Sequence, residues 1–274
     1  MTATEIILSL IFGGLIGFVI GLTSIGAGAL VLPALTLVFG MPPSVAIGTA
    51  TLYAFLTKIY ASVRHLQLKT VNTRVAAVFL AGAAPGNAIA AWFISRRATE
   101  LRDQAEALQV FQDRLTLFMA IVIAACAVSL VRSGFKARPP MIEAAGLFQD
   151  RPATRNAMTV LAGAFVGAIM GASGIGGGVL VVPVLIMLLG LPPRHTVGTS
   201  VFISLFLSFL TALIFGKSGE TDLGVAIVMS IAAWGGVYFG GKLVTRLPER
   251  PLIIIVAITV MIAAVIMAAR ALAH

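Results

Sequence analysis

The sequence predicts an all-α polytopic membrane protein with about ten apolar segments arranged as two homologous halves of five. Two observations carry that prediction. The 274 residues are 59% hydrophobic and only 11% charged, with a mean hydropathy of +1.05, which leaves too little polar surface to cover a soluble globule. The chain also contains one stretch twice: Gly17-Phe18-Val19-Ile20-Gly21-Leu22-Thr23-Ser24-Ile25-Gly26-Ala27-Gly28 recurs as Gly167-Ala168-Ile169-Met170-Gly171-Ala172-Ser173-Gly174-Ile175-Gly176-Gly177-Gly178. The register continues through Leu30-Val31 and Leu180-Val181, Pro33 and Pro183, Gly40-x-Pro42-Pro43 and Gly190-x-Pro192-Pro193, to Gly48-Thr49 and Gly198-Thr199. The identities are mostly glycines and prolines rather than interchangeable aliphatics, so the halves share one ancestral unit.

The first half, 1–132, opens on the acid-bearing Met1-Thr2-Ala3-Thr4-Glu5. No basic n-region or cleavage site precedes segment 6–22, so that segment is expected to be retained as a span. Its glycines at 13, 17 and 21, like those at 163, 167 and 171, have the spacing that lets helices pack closely in lipid. Segment 29–39 is only about a dozen residues long, against roughly 20 for a full helical span. Segment 45–63 carries Lys58, the one basic residue well inside an apolar run. Segment 75–94 follows, and 95–114 reads as a short interfacial helix, with Leu101, Ala105 and Leu108 on one face and Arg102, Asp103 and Glu106 opposite. Segment 115–131 contains Cys126, whose solitude excludes an intramolecular disulfide and any cysteine-built metal site.

A connecting loop, 133–156, leads into the second half, 157–274, with segments 158–172, 179–189, 197–215, 223–243 and 252–269. Five segments is an odd number, so if all of them span, the second half enters from the opposite face and the halves form an inverted repeat. Ten crossings also collect Arg64, Lys69, Arg74, Arg132, Lys136, Arg138, Arg151, Arg155, Arg194, Lys242, Arg246 and Arg250 on one side. The positive-inside rule makes that side cytoplasmic and puts both termini outside. The formal charge of +9 is read as membrane electrostatics, because basic residues flank apolar runs; nucleic acid is not an expected partner.

Segments two and seven read as broken half-helices, each with a glycine cluster before it and a Gly-x-Pro-Pro turn after it. Non-helical backbone at membrane depth survives only where protein buries it or a wet cavity receives it, so paired breaks point to a binding site near the midplane. The small-residue runs ending at Gly28 and Gly178 expose backbone N–H groups at a helix start, which favours an anion. The candidate substrate-binding set is therefore Gly26, Gly28, Gly176, Gly177 and Gly178 with the hydroxyls of Thr23, Ser24, Thr49, Ser173, Thr199 and Ser200, and Lys58 as a source of positive potential. The competing readings are plain: hydroxyls in membrane helices often bond only to their own backbone, and Lys58 could snorkel toward Arg64. No carboxylate lies deep in a segment, and no metal or cofactor site is indicated.

The element Gly174-Ile175-Gly176-Gly177-Gly178-Val179-Leu180-Val181-Val182-Pro183, followed by Gly190-Leu191-Pro192-Pro193 and Val197-Gly198-Thr199-Ser200, resembles the TauE/SafE family of sulfite exporters, also called the toluene-sulfonate uptake permease superfamily. The resemblance covers nearly the whole chain. It implies a multi-pass inner-membrane secondary carrier, not an enzyme, that exports small sulfur-containing anions such as sulfite, sulfoacetate or other organosulfonates by alternating access. The first half departs from the pattern at Ser24, Ala27 and Ala50. Expected partners are the anion, membrane lipids, a coupling ion (proton or sodium) and a second copy of the chain. The alternatives are an anion channel and, from the short Gly171-Ala172-Ser173-Gly174 match, a rhomboid-like serine protease using Ser173 with His195 as base.

Overall fold

The computed structural model describes residues 2–23, 28–135, 152–175, 178–243 and 249–273, and among these every regular element is a helix. The helices are α1 (Ala3–Thr23), α2 (Gly28–Pro33, continuing as a π-helical turn over Ala34–Val38), α3 (Pro43–Gln67), α4 (Thr73–Glu100), α5 (Ala105–Phe135), α6 (Pro152–Ser173), α7 (Gly178–Leu189), α8 (Pro193–Lys217), α9 (Leu223–Leu243) and α10 (Glu249–Ala273). Among the described residues, seven helices are long and apolar enough to cross a membrane: α1, α4, α5, α6, α8, α9 and α10. Helix α3 has the length, but Lys58, Arg64 and His65 lie within it. Helix α2 with its π turn, and α7, are the short pieces the sequence marks as broken.

The halves interlock rather than sit side by side. Helix α1 lies along α9 and α4 along α6, while α3 packs on α8 and α5 on α10. Every one of these pairs joins one half of the chain to the other. The first two are glycine seams. A Cβ added at Gly13 or Gly17 would run into the backbone of Met229 or Ala233, and one at Gly236 into the backbone of Gly14 and Phe18. On the other seam, Gly82 abuts Val160, Gly86 abuts Ala164, Gly167 abuts Ala83 and Gly171 abuts Asn87, again backbone to backbone. Such contact removes side-chain spacers and lets two helices gain dispersion along their whole length, which matters where lipid supplies no hydrophobic drive.

The seams also give direction. Rising residue numbers on α1 meet rising numbers on α9, and the same holds for α4 and α6, so each pair is parallel. Thr49, near the start of α3, is bonded to Asp222 at the start of α9, so α1, α3 and α9 run the same way. Helix α2 therefore carries the chain back from the far end of α1 to the end where α3 begins.

Turn chemistry repeats with the sequence. Gly40 and Gly190 adopt φ +64° and +59°, a left-handed conformation that ends α2 and α7 at little steric cost. Pro42 and Pro192 then enter α3 and α8 with extended ψ of 141° and 146°, so the second proline of each pair sits where a helix needs no N–H. The segment 95–114 is not the separate interfacial helix that its pattern predicts. Its first residues extend α4 to Glu100, with Arg96 bonded to Glu100 at 2.6 Å, and its last extend α5 back to Ala105, leaving only a tight turn between.

Candidate functional site

Residues 24–27 and 176–177 lie outside the described residues, so Ser24, Gly26, Gly176 and Gly177 have no geometry to set beside the sequence reading. Gly28 and Gly178 open α2 and α7 as that reading requires, and Thr23 and Ser173 close α1 and α6. The described flanks of the two breaks lie apart. Gly174 lies against Ile47 in the first turns of α3, with Ile47 Cγ2 3.0 Å from the position of an added Cβ. The end of α1 lies instead beside the end of α9, where Gly240 faces Gly21 and Leu22. Those two places are at opposite ends of α9, separated by about 18 residues of helix or roughly 27 Å.

Each end is built in the same way. At the start of α9, Asp222 accepts the N–H of Val225 on its carboxylate at 2.9 Å, and its own N–H donates to Thr49 Oγ1 at 2.9 Å. At the start of α4, Asn72 accepts from Val75 N at 3.1 Å and donates its N–H to Thr199 Oγ1 at 3.0 Å. Thr49 and Thr199, both fully buried, thus each complete the cap of a helix in the opposite half. The glycines before them make room: a Cβ at Gly48 would meet the Glu220 backbone, and one at Gly198 would come within 2.7 Å of Thr70 O. The sequence singles out these threonines correctly as a matched pair, but only the tertiary structure joins each to a loop more than a hundred residues away.

The other hydroxyls bond locally. Ser173 donates to Ile169 O at 2.7 Å and accepts from Ile175 N at 3.3 Å, Ser200 donates to Val197 O at 2.9 Å, and Gly174 N, at φ +67°, donates to Met170 O at 2.9 Å. The N–H groups of Gly174 and Ile175 are therefore already committed to ending α6. Ser173 and His195 do not form a nucleophile pair, because Ser173 sits at the Ile47 end and His195 in the first turn of α8, at the Asn72 end.

Lys58 lies on the inward face of α3, and its Nζ is buried with no hydrogen-bond partner among the described residues. It does not snorkel to the surface. A buried ammonium with no partner among the described residues is costly, which makes Lys58 a candidate rather than a packing residue.

Sequence reasoning missed one polar network. Glu220, 5% exposed, accepts from Ser44 Oγ at 2.7 Å and from Arg102 Nη2 at 2.8 Å. Gln112 Nε2 donates to Ser44 Oγ at 2.9 Å while its Oε1 accepts Ser44 N at 3.1 Å. This network ties the α8–α9 turn to the starts of α3 and α5 and to the α4–α5 turn. Its repeat mate, Thr70, is bonded to His65, so among the described residues the charged version is seen at one end. A cavity of about 300 Å³ lies among α1, α2 and α10, lined by Phe12, Ile16, Leu30, Pro33, Leu37 and Val260 among others. Its walls are almost wholly apolar and offer an anion nothing to bind.

The family described as Sulfite exporter TauE/SafE matches residues 9–267. Similar chains include the probable membrane transporter proteins YunE and YjnA of Bacillus subtilis. YunE is 30% identical over 94% of this chain and 93% of its own; YjnA is 27% identical over 92% and 96%. A probable membrane transporter protein of Xylella fastidiosa strain 9a5c is 28% identical over 90% and 87%. No solved structure matches the chain.

Proposed function

Because the chain belongs to the TauE/SafE sulfite exporter family and is thereby a multi-pass membrane transporter, we propose that it is a secondary carrier of the inner membrane. Its cargo is a small sulfur oxyanion or organosulfonate, moved by alternating access. The observation that carries the anionic part of this reading is Lys58 Nζ, buried and without a partner among the described residues. A site that held a cation would need acidic or carbonyl ligands there instead.

The proposed anion path uses the residues the doubled motif supplies. Of the described residues, Ser173 and Gly178 lie at one end with Thr49, and Thr23 and Gly28 at the other with Thr199 and Ser200; Lys58 lies between, and the motif's Ser24, Gly26, Gly176 and Gly177, outside the described residues, complete the proposed set. Neutral N–H and O–H donors bind an oxyanion without the grip of a buried arginine, so release stays fast. The cross-half caps at Thr49 and Thr199, the parallel seams and the return path through α2 support an inverted repeat of ten crossings with two gates, one at each end. The end bearing Arg64, Lys69, Arg74, Arg194 and Lys242 is assigned to the cytoplasm by the positive-inside rule.

The test is thermal stabilisation of the purified protein by sulfite, sulfoacetate, sulfate, nitrate and chloride, since a ligand of the folded state raises stability by mass action. Sulfite or a sulfonate is expected to stabilise at lower concentration than nitrate or chloride. Lys58→Met is expected to weaken that binding about tenfold. A protein indifferent to every sulfur anion would overturn the substrate class, and unchanged affinity in Lys58→Met would remove the lysine from the path.

A further inference from the structure

A second cluster of unsatisfied polar groups lies in the interior, on the seam between α4 and α8. Ser204, Ser208 and Thr211 follow one another at spacings of four and three, so they occupy one face of α8 and lie a turn apart. All three are buried, as is Asn87 on α4, which is 0% exposed. Thr211 Oγ1 donates to Asn87 Oδ1 at 2.9 Å and also lies 3.0 Å from Leu207 O. That contact pins the amide against α8. Asn87 Nδ2 and the hydroxyls of Ser204 and Ser208 have no hydrogen-bond partner among the described residues. An amide nitrogen carries two N–H groups and Thr211 can take at most one, so whichever way the amide is turned at least one donor is left over.

Buried donors without acceptors are expensive and are normally matched by something. The repeat register sharpens what that is. Val237, Ala54, Lys58 and Ala61 of the opposite seam are the mates of Asn87, Ser204, Ser208 and Thr211. One seam therefore carries a neutral donor set where its mate carries a lone cation. The Phe55 and Phe209 rings touch at 5.0 Å between centroids, and Lys58 is one turn past Phe55 while Ser208 precedes Phe209. On antiparallel helices this sets Lys58 and Ser208 within about one turn of the same depth, between the level of Gly174 and that of the end of α1.

We propose that Asn87, Ser204 and Ser208 form a central subsite for an oxyanion, a way-station that receives cargo from either end and lies in the field of Lys58. The proposal rests on the reading of the cargo as a small anion and adds where that anion stops within the protein. Every free group in the cluster can donate, and buried donors near the depth of the Lys58 ammonium suit the oxygens of sulfite or a sulfonate head rather than a cation.

The experiment measures sulfite affinity by thermal stabilisation and by calorimetry for the full-length protein in nanodiscs. The double variant Ser204→Ala, Ser208→Ala removes two donors without adding volume, and is expected to melt at or above the wild-type temperature without anion, because it deletes unsatisfied hydroxyls. Its sulfite affinity should fall at least fivefold. Asn87→Asp keeps the acceptor for Thr211 but replaces the free N–H donors with an oxygen, and should weaken sulfite binding tenfold or more. Sulfite binding in the wild type with both variants equal to it would overturn the subsite alone and leave the cluster filled by water. A wild type that binds no sulfite, sulfate or sulfoacetate would overturn the subsite together with the anion reading.

Discussion

Replacing Gly167 by alanine tests whether the α4–α6 seam holds the two halves together. The added Cβ would face the Ala83 carbonyl with Ala83 C and Cα each 2.8 Å away, inside the distance that carbon atoms tolerate. All three obstacles are backbone atoms, so no rotamer change relieves them and the helices themselves must part. Overpacking of this kind costs about 1–3 kcal/mol. At about 2–4 °C per kcal/mol for a chain of this size, the melting temperature should fall by roughly 2–12 °C. The control is Gly235→Ala on α9, where nothing lies within 4 Å of the new methyl. There the change relieves the helix of a flexible residue, so stability should hold or rise by up to about 1 kcal/mol. Both variants are made in one background and melted in one detergent, with size-exclusion profiles before and after heating. Equal melting temperatures for the two would refute the seam as a source of cohesion.

The cross-half caps predict that Thr49→Val and Thr199→Val each cost about 1–2 kcal/mol by stranding the N–H of Asp222 or Asn72; because the two sites are at opposite ends, the double variant should show the sum, and a clear excess over it would contradict their separation. Arg102→Ala should cost only about 1 kcal/mol, since the Arg102 side chain is 56% exposed although that of Glu220 is 7%, and the loss should shrink in high salt; a salt-independent loss would assign the arginine a packing role instead. For topology, single cysteines in a Cys126→Ala background should label with an impermeant thiol reagent from outside when placed beside Lys217, and only after permeabilisation when placed beside Lys69. Protection at Lys217 would reverse or break the proposed orientation.

Much of the architecture is written in local chemistry and so could be read from the chain alone. Gly40-x-Pro42-Pro43 and Gly190-x-Pro192-Pro193 end one helix and start the next by their own backbone limits. Glycines at every fourth position announce close helix contact without any partner in view. The length of α2 and α7 follows from where those glycines and prolines fall, and membrane residence follows from composition. What the sequence could not specify is which surfaces meet. Gly13 and Gly17 reveal a flat stripe but not that α9 fills it, because any helix with small residues would fit. Thr49 and Thr199 appear as a pair by repeat register, yet each is satisfied by a loop in the other half, a contact set by how the halves interlock. The breaks look adjacent when the repeats are aligned on paper; parallel packing of α1 with α9 and of α4 with α6 places their described flanks at opposite ends of the bundle. Glu220 carries no signal in a single sequence, since an acidic turn residue is ordinary; Asn87, opposite Val237 in the repeat register, reads either as lining a cavity or as bonding across helices, and the sequence does not name the partner. Burial and partners make them consequential, and burial is a property of the assembled helices.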